Sequence, residues 1–181
     1  GWRFLYRGQN VERYNLKTTQ EFVSYGPWIA APRSPELFQS PKILMRRTDD
    51  RLKACLEEAN AVCVNSCHVI KLKSLFSRIS YTYLLGLLNS SLLQRIFELQ
   101  NPQMINKIFA EIKVIYVQRL PIRTIDFDNP ADVARHERMV ALVETMLDLH
   151  KRLAEAKTPQ AKRLLQQQID LTDRQIDALV Y

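Results

Sequence analysis

The chain has 181 residues, 46% hydrophobic and 25% charged, with only four glycines, which suits a globular protein with one sizeable core. It carries 26 Lys/Arg against 19 Asp/Glu, with a pI near 9.5. No stretch approaches the roughly 18 apolar residues of a membrane span, so membrane insertion is not expected. The start, Gly-Trp-Arg-Phe-Leu-Tyr-Arg, has no apolar secretory core. It also lacks an initiator Met, as expected of a piece cut from a longer protein.

Residues 2–7 alternate and predict a strand that Gly8 breaks, followed by one helical turn from Gln9 to Tyr14. Glu21–Tyr25 predicts a second short strand. The prolines at 27, 32, 35 and 41 then forbid a regular element. Pro41–Thr48 is the next strand, and Arg51–Glu57 and Ala61–Leu72 are expected to form an antiparallel pair after it. Ile79–Leu99 switches to helical period, with Leu84, Leu88, Leu92 and Ile96 on the buried line. Phe109–Val117 is β-rich, and Leu120-Pro-Ile122 is expected to end the sheet. Asn129 then caps a helix that has Pro130 in its first position.

The last segment reads as a helical hairpin. Met139, Leu142, Met146, Leu149 and Leu153 form one heptad seam, and Leu165, Ile169, Thr172, Ile176 and Leu179 a second, with Thr158-Pro159 between them. The whole is an α+β fold. A small, mostly antiparallel twisted sheet with a packed helix spans residues 1–128, and an antiparallel helical hairpin spans 129–181. The charge divides at the same place. Residues 1–128 hold 18 Lys/Arg and 11 Asp/Glu, whereas residues 129–181 hold eight of each. A basic body on a neutral hairpin points to a surface for a polyanion joined to a packing or spacing element.

Signs of catalysis are few. The four glycines are not clustered, which excludes a nucleotide-binding glycine loop, and there is no Gly-x-Ser-x-Gly elbow. Three cysteines, an odd number, argue against a disulfide framework and for a reducing compartment. Cys63 and Cys67 share a face of the expected strand but would lie roughly 13 Å apart, too far to share a tetrahedral metal ion. Glu111-x-Lys113 resembles part of a metal-dependent nuclease site, but residues 59–110 contain no Asp and only Glu98, so the second metal carboxylate is missing. Asn101-Pro-Gln-Met104 lacks the second Pro and the aromatic of the amino-methyltransferase motif Asn-Pro-Pro-aromatic, and reads as a helix end and turn.

What remains is a binding surface. Lys42, Arg46, Arg47, Arg51, Lys53, Lys71, Lys73 and Arg78 concentrate positive charge on three adjacent expected strands and their turns. Strand alternation sends Arg46 and Thr48 to one face and Arg47 to the other. Because Arg suits bidentate contact with guanine and Lys/Arg on turns suit phosphates, the base-reading candidates are Arg46, Thr48 and Asn65. The phosphate candidates are Arg7, Lys42, Arg47, Arg51, Lys53, Lys71 and Lys73. No catalytic or metal-binding residue is assigned.

Several landmarks in succession resemble a known family. Tyr6-Arg-Gly-Gln-Asn-Val-Glu-Arg-Tyr14 is similar to the "Gly-Lys-Asp-Ile-x-Arg-Tyr" opening of target-recognition domains, and Pro41–Thr48 to the strand placed next. Tyr83-Leu-Leu-Gly-Leu-Leu-Asn-Ser90 resembles their "Leu-Leu-Gly-Leu-Leu-Asn-Ser" helix, and Leu120-Pro-Ile122 their sheet exit. Leu171–Tyr181 resembles the closing "Asp-x-x-Ile-Asp-x-Leu-Val-Tyr" helix. The family is the TaqI-like C-terminal specificity domain of adenine-specific DNA methyltransferases and fused type II restriction-modification enzymes, related to type I specificity subunits.

The resemblance implies a cytoplasmic, prokaryotic protein that reads double-stranded DNA and has no chemistry of its own. An upstream methyltransferase domain of the same polypeptide would hold S-adenosylmethionine, and Mg would be needed if a nuclease is fused. The hairpin would be the spacer to that domain or a dimerisation element. The alternative from a different class is a helical protein-interaction module with a basic but non-reading body. An uncovered seam on the hairpin would favour that alternative, and a seam closed within the chain would favour a spacer.

Overall fold

The computed structural model describes residues 1–102 and 110–181. Its strands are β1 (Trp2–Tyr6), β2 (Val11–Glu12), β3 (Asn15–Leu16), β4 (Phe22–Ser24), β5 (Lys42–Arg46), β6 (Ala54–Glu57), β7 (Val62–Cys63) and β8 (Cys67–Ile70). Its helices are α1 (Tyr81–Asn89), α2 (Ser91–Gln100), α3 (Val114–Val117), α4 (Pro130–Glu155) and α5 (Pro159–Val180). The fold is α+β. The strands are divided among three small sheets, ordered β4-β1-β7, β2-β3 and β6-β5-β8, and every pairing but β1-β7 is antiparallel.

Several expectations are corrected. The helical turn after Gly8 is a short 3-10 turn, Gly8–Asn10, and the chain is back in strand at Val11. Ala61–Leu72 is not one strand, and it does not pair with Arg51–Glu57. Its first part, β7, joins β1 in parallel, and its second, β8, joins β5, which is thus the central strand. The break is a turn closed by Cys67 N–H donating to Val64 O at 3.1 Å. Gly8 faces that turn so closely that a Cβ there would stand 2.8 Å from Ser66 O.

The single helix expected over 79–99 is two. Ser90 is extended, its hydroxyl donates to Leu87 O, and it accepts from Leu93 N–H as the cap of α2. The break shifts the buried face to Leu93, Gln94 and Phe97, so Leu92 and Ile96 are only half-buried. Asn89 and Gln94 serve as a substitute strand for the β6 side of the sheet. Asn89 exchanges two hydrogen bonds with the backbone of Ala54, and Gln94 accepts from Leu52 N–H. The strand expected over 109–117 begins outside the described residues. From Ala110 onward it contributes one bridge, Thr48 to Glu111, before turning into α3, so Leu120-Pro-Ile122 follows a helix and does not leave a sheet. Asn101 caps the end of α2 as expected of the Asn101–Met104 turn, but Gln103 and Met104 lie outside the described residues.

Strand β5 separates two cores. Leu44 packs with Val11, Phe38, Cys55, Val62, Cys63 and Cys67 on one side. Ile43 and Met45 face α1 on the other, in a cluster that runs on through Met139, Val143 and Met146 of α4 to Ile169 and Ile176 of α5. Asn129 and Thr158 cap α4 and α5 through their side chains, each with Pro in the first turn. Gly86 lets α4 come close to α1, since a Cβ there would stand 2.5 Å from Met139 Sδ and 2.9 Å from Val143 Cγ2. Polar ties join α5 to the body as well. Arg13 forks onto Asp173 at 2.7 and 3.0 Å and donates to Asn89 O. Asp177 accepts from Ser91 N–H at the start of α2, where the helix dipole favours a carboxylate.

Candidate nucleic-acid interface

The adjacent arginines at the end of β5 leave it in different directions. Arg46 turns inward, and its side chain is only 19% exposed. It donates through Nε to Gly8 O at 2.7 Å and through Nη1 to Asp49, with Glu12 at 3.7 Å. Lys53 closes the same cluster, with its ammonium 3.1 Å from Asp49 and 3.3 Å from Glu12. Burial pushes the Asp49 carboxyl up, but hydrogen bonds from Asp50, Arg46 and Lys53 outweigh it and hold the group well below the ordinary carboxylate range. Two cations therefore face two carboxylates in a half-closed site.

Lys42 is withdrawn further. It is fully buried, pairs with Glu57 and donates to Phe38 O at 2.9 Å, and burial lowers its pKa from the ordinary lysine value. The reason lies in the register. Lys42 stands opposite Glu57 across the β5–β6 ladder, so the carboxylate sits where the strand delivers the ammonium. Arg7 is exposed but forks onto Glu21 at 2.7 Å.

Arg47 goes the other way, to the rim of a groove. It donates through Nε and Nη2 to Glu111 Oε1 at 3.0 and 2.6 Å, and through Nη1 to Asn65 O at 3.1 Å. Its backbone is held on both sides, since Arg47 N–H donates to Ser66 O and Ile112 N–H donates to Arg47 O. Thr48 is exposed and bridges Glu111, and Asn65 is exposed at the tip of the β7–β8 turn. The groove holds about 930 Å³ and runs along the edge strand β8, every residue from Cys67 to Leu72 contributing to it. Leu84, Leu88, Val114 and Val117 line its apolar wall, and Arg33, Arg47, Lys71 and Lys113 supply its cations, with Glu111 as the carboxylate among them.

Of the ten residues singled out from sequence, Arg47, Asn65 and Lys71 line this groove, and Thr48 stands beside it. Arg46, Lys53 and Lys42 are spent on internal carboxylates. Arg51 and Lys73 are exposed and do not line it, Arg51 lying within electrostatic reach of Glu98 and Lys73 just before a 3-10 turn at Ser74–Phe76. Lys71 is partly tied down, donating to Gln39 O and Pro41 O. Arg33 and Lys113 were not singled out for binding. Arg33 sits in the proline loop, where no periodicity gives a direction, and the only sign of Lys113 was the Glu-x-Lys triplet.

The cysteine geometry is also corrected. The Val64–Cys67 turn folds what would have been an extended stretch, and Cys63 and Cys67 pack in the same buried cluster. They are not roughly 13 Å apart, as an unbroken strand would place them. Among the described residues no three His, Cys, Asp or Glu side chains are grouped to hold a metal ion, and no helix is long and apolar enough to cross a membrane.

A small α+β body with a cation-rimmed groove, carried on a neutral helical hairpin, is the make-up of a polyanion-binding module. The chain belongs to the family of TaqI-like C-terminal specificity domains, whose family model matches residues 3–122. Such a domain recognises a DNA target for a restriction-modification enzyme and is itself non-catalytic. The match covers the opening, the Leu-Leu-Gly-Leu-Leu-Asn-Ser helix and Leu120-Pro-Ile122, and ends before the hairpin. Comparison with curated proteins returns no match.

Proposed function

We propose that this chain reads a short double-stranded DNA sequence for a site-specific adenine-N6 methyltransferase of a restriction-modification system. The rim of the β8 groove would be its DNA-facing edge. The observation that carries the reading is the grouping of Arg33, Arg47, Lys71 and Lys113 with the exposed side chains of Thr48 and Asn65, on a domain of a DNA-specificity family. Lysines of this kind position a duplex through its phosphates, and arginines and polar tips at the rim can reach base edges. The catalytic domain linked to this one would hold S-adenosylmethionine and take the adenine out of the stack. A fused nuclease would add Mg. No residue of this chain is assigned to either cofactor, and the protein would work in a prokaryotic cytoplasm.

The hairpin fits the role of a spacer. Leu142, Met146, Leu149, Leu165, Ile169 and Ile176 are buried within the chain. The protein-interaction alternative asked for an uncovered seam. The test is equilibrium binding of a duplex pool across a salt series. Log K should fall linearly with log salt, and Lys113→Ala should flatten the slope by about one unit. An affinity indifferent to salt would overturn the reading.

A further inference from the structure

Glu111 is out of place on a surface that meets phosphates. It is an exposed carboxylate among the groove's four cations, held below its ordinary pKa by the Arg47 hydrogen bond and charge, and so it is ionised at neutral pH. An ionised carboxylate facing DNA is repelled by the backbone and lacks a proton to donate. It gains only where an amino group is offered to it. In the major groove the cytosine N4 amino group is such a donor, and Glu and Asp are the side chains that accept from it, while Arg matches guanine O6 and N7.

Resting on the DNA-reading function proposed above, we infer that Arg47 and Glu111 act together as a base-reading pair. Arg47 takes guanine, and Glu111 accepts from the cytosine of the same or the neighbouring G·C pair. Three observations support this. Both Arg47 bonds to the carboxylate converge on Oε1, so the guanidinium does not engage Oε2. Both side chains spring from backbone fixed by pairing, through the Thr48–Glu111 bridge and the Ile112-to-Arg47 hydrogen bond, and such backbone aims a side chain better than a loose loop. The contact between them is also exposed, with side chains 39% and 47% accessible. Such a pair adds little to stability, so opening it onto a base edge costs little. Before DNA binds, Glu111 keeps Arg47 in place. On binding, each side chain exchanges its partner for a base.

The experiment is selection of binding sites from a random duplex pool by the 181-residue chain and by its Glu111→Gln and Arg47→Lys variants, each checked for an unchanged melting temperature. The wild type is expected to enrich a motif containing an invariant G·C pair. Glu111→Gln should relax the preference at one base-pair position by about tenfold, with the salt slope unchanged because no phosphate contact is lost. Arg47→Lys keeps the charge but not the fork, and should relax the same or the adjoining position. If both variants enrich the wild-type motif with wild-type selectivity, the pair does not read bases, although the DNA-reading function stands. If the wild type enriches nothing and binds without salt dependence, that function fails and takes the pair with it.

Discussion

Arg46 and Arg47 are neighbours with the same charge, yet they belong to different regions of the molecule. Arg46 faces the β2–β3 side, where Glu12, Asp49 and Lys53 complete a closed ionic cluster. Arg47 faces the β8 edge, where an exposed carboxylate and one carbonyl hold it. The difference shows that a basic composition does not measure a basic surface. A guanidinium engaged by internal carboxylates and half removed from water maintains the fold, whereas one held by an exposed carboxylate can exchange its partner.

The largest expected effect lies wholly on the closed side. Lys42→Met leaves Glu57 buried with its backbone and Ser40 donors but without its cation, and should cost about 3–5 kcal/mol in urea unfolding. It should leave the salt dependence of DNA binding alone. Next is Arg46→Ala, which takes a charged donor from both Gly8 O and Asp49 in a partly buried site, leaving Gly8 O with Val11 N–H and Asp49 with Lys53, and should destabilise by about 1.5–3 kcal/mol, again without changing the salt slope. Arg47→Ala is the opposite case. Melting should be unchanged, while base preference or the salt slope moves. If Arg46→Ala flattened the slope and Arg47→Ala did not, the contrast between the two faces would be reversed.

The smallest effect is in acid. Asp49 titrates near the ordinary value of about 3.9 in the unfolded chain but well below it in the fold. Between those limits the unfolded state binds more protons, so the stability from this cluster is present above about pH 4 and is lost as the pH falls. Asp49→Asn should flatten the acid limb of the stability curve. Glu111 shifts in the same direction through Arg47 but stands in water, so Glu111→Gln should change that limb less, and moderate salt should erase the change.

Much of the fold was legible. Short strands bounded by Gly and Pro, capped helices with Pro in the first turn, and two heptad seams are local signals, and the elements stand close to where those signals lie. The errors were of pairing and phase. Nothing local says that β7 will leave for β1 while β8 turns back to β5, because a turn at Val64–Cys67 carries no glycine or proline. Ser90 reads as helix interior until its hydroxyl is seen capping α2. For the candidate site, the sequence marks where basic residues gather but not which of them are engaged by carboxylates within the fold. Alternation separates Arg46 from Arg47 but does not say which face is covered, and the carboxylates that claim Arg46 lie outside its own strand.

By itself the sequence determined the division between a basic body and a neutral hairpin, the caps and seams that make the hairpin, and the motifs of a specificity domain. These depend on residues a few positions apart. Only the tertiary structure decided which positive charges remain open to a partner. That choice rests on carboxylates distant in sequence, such as Glu111, which meets Arg47 across 64 residues. Electrostatic pairing acts through a few ångströms of space, and the chain must fold before those distances exist.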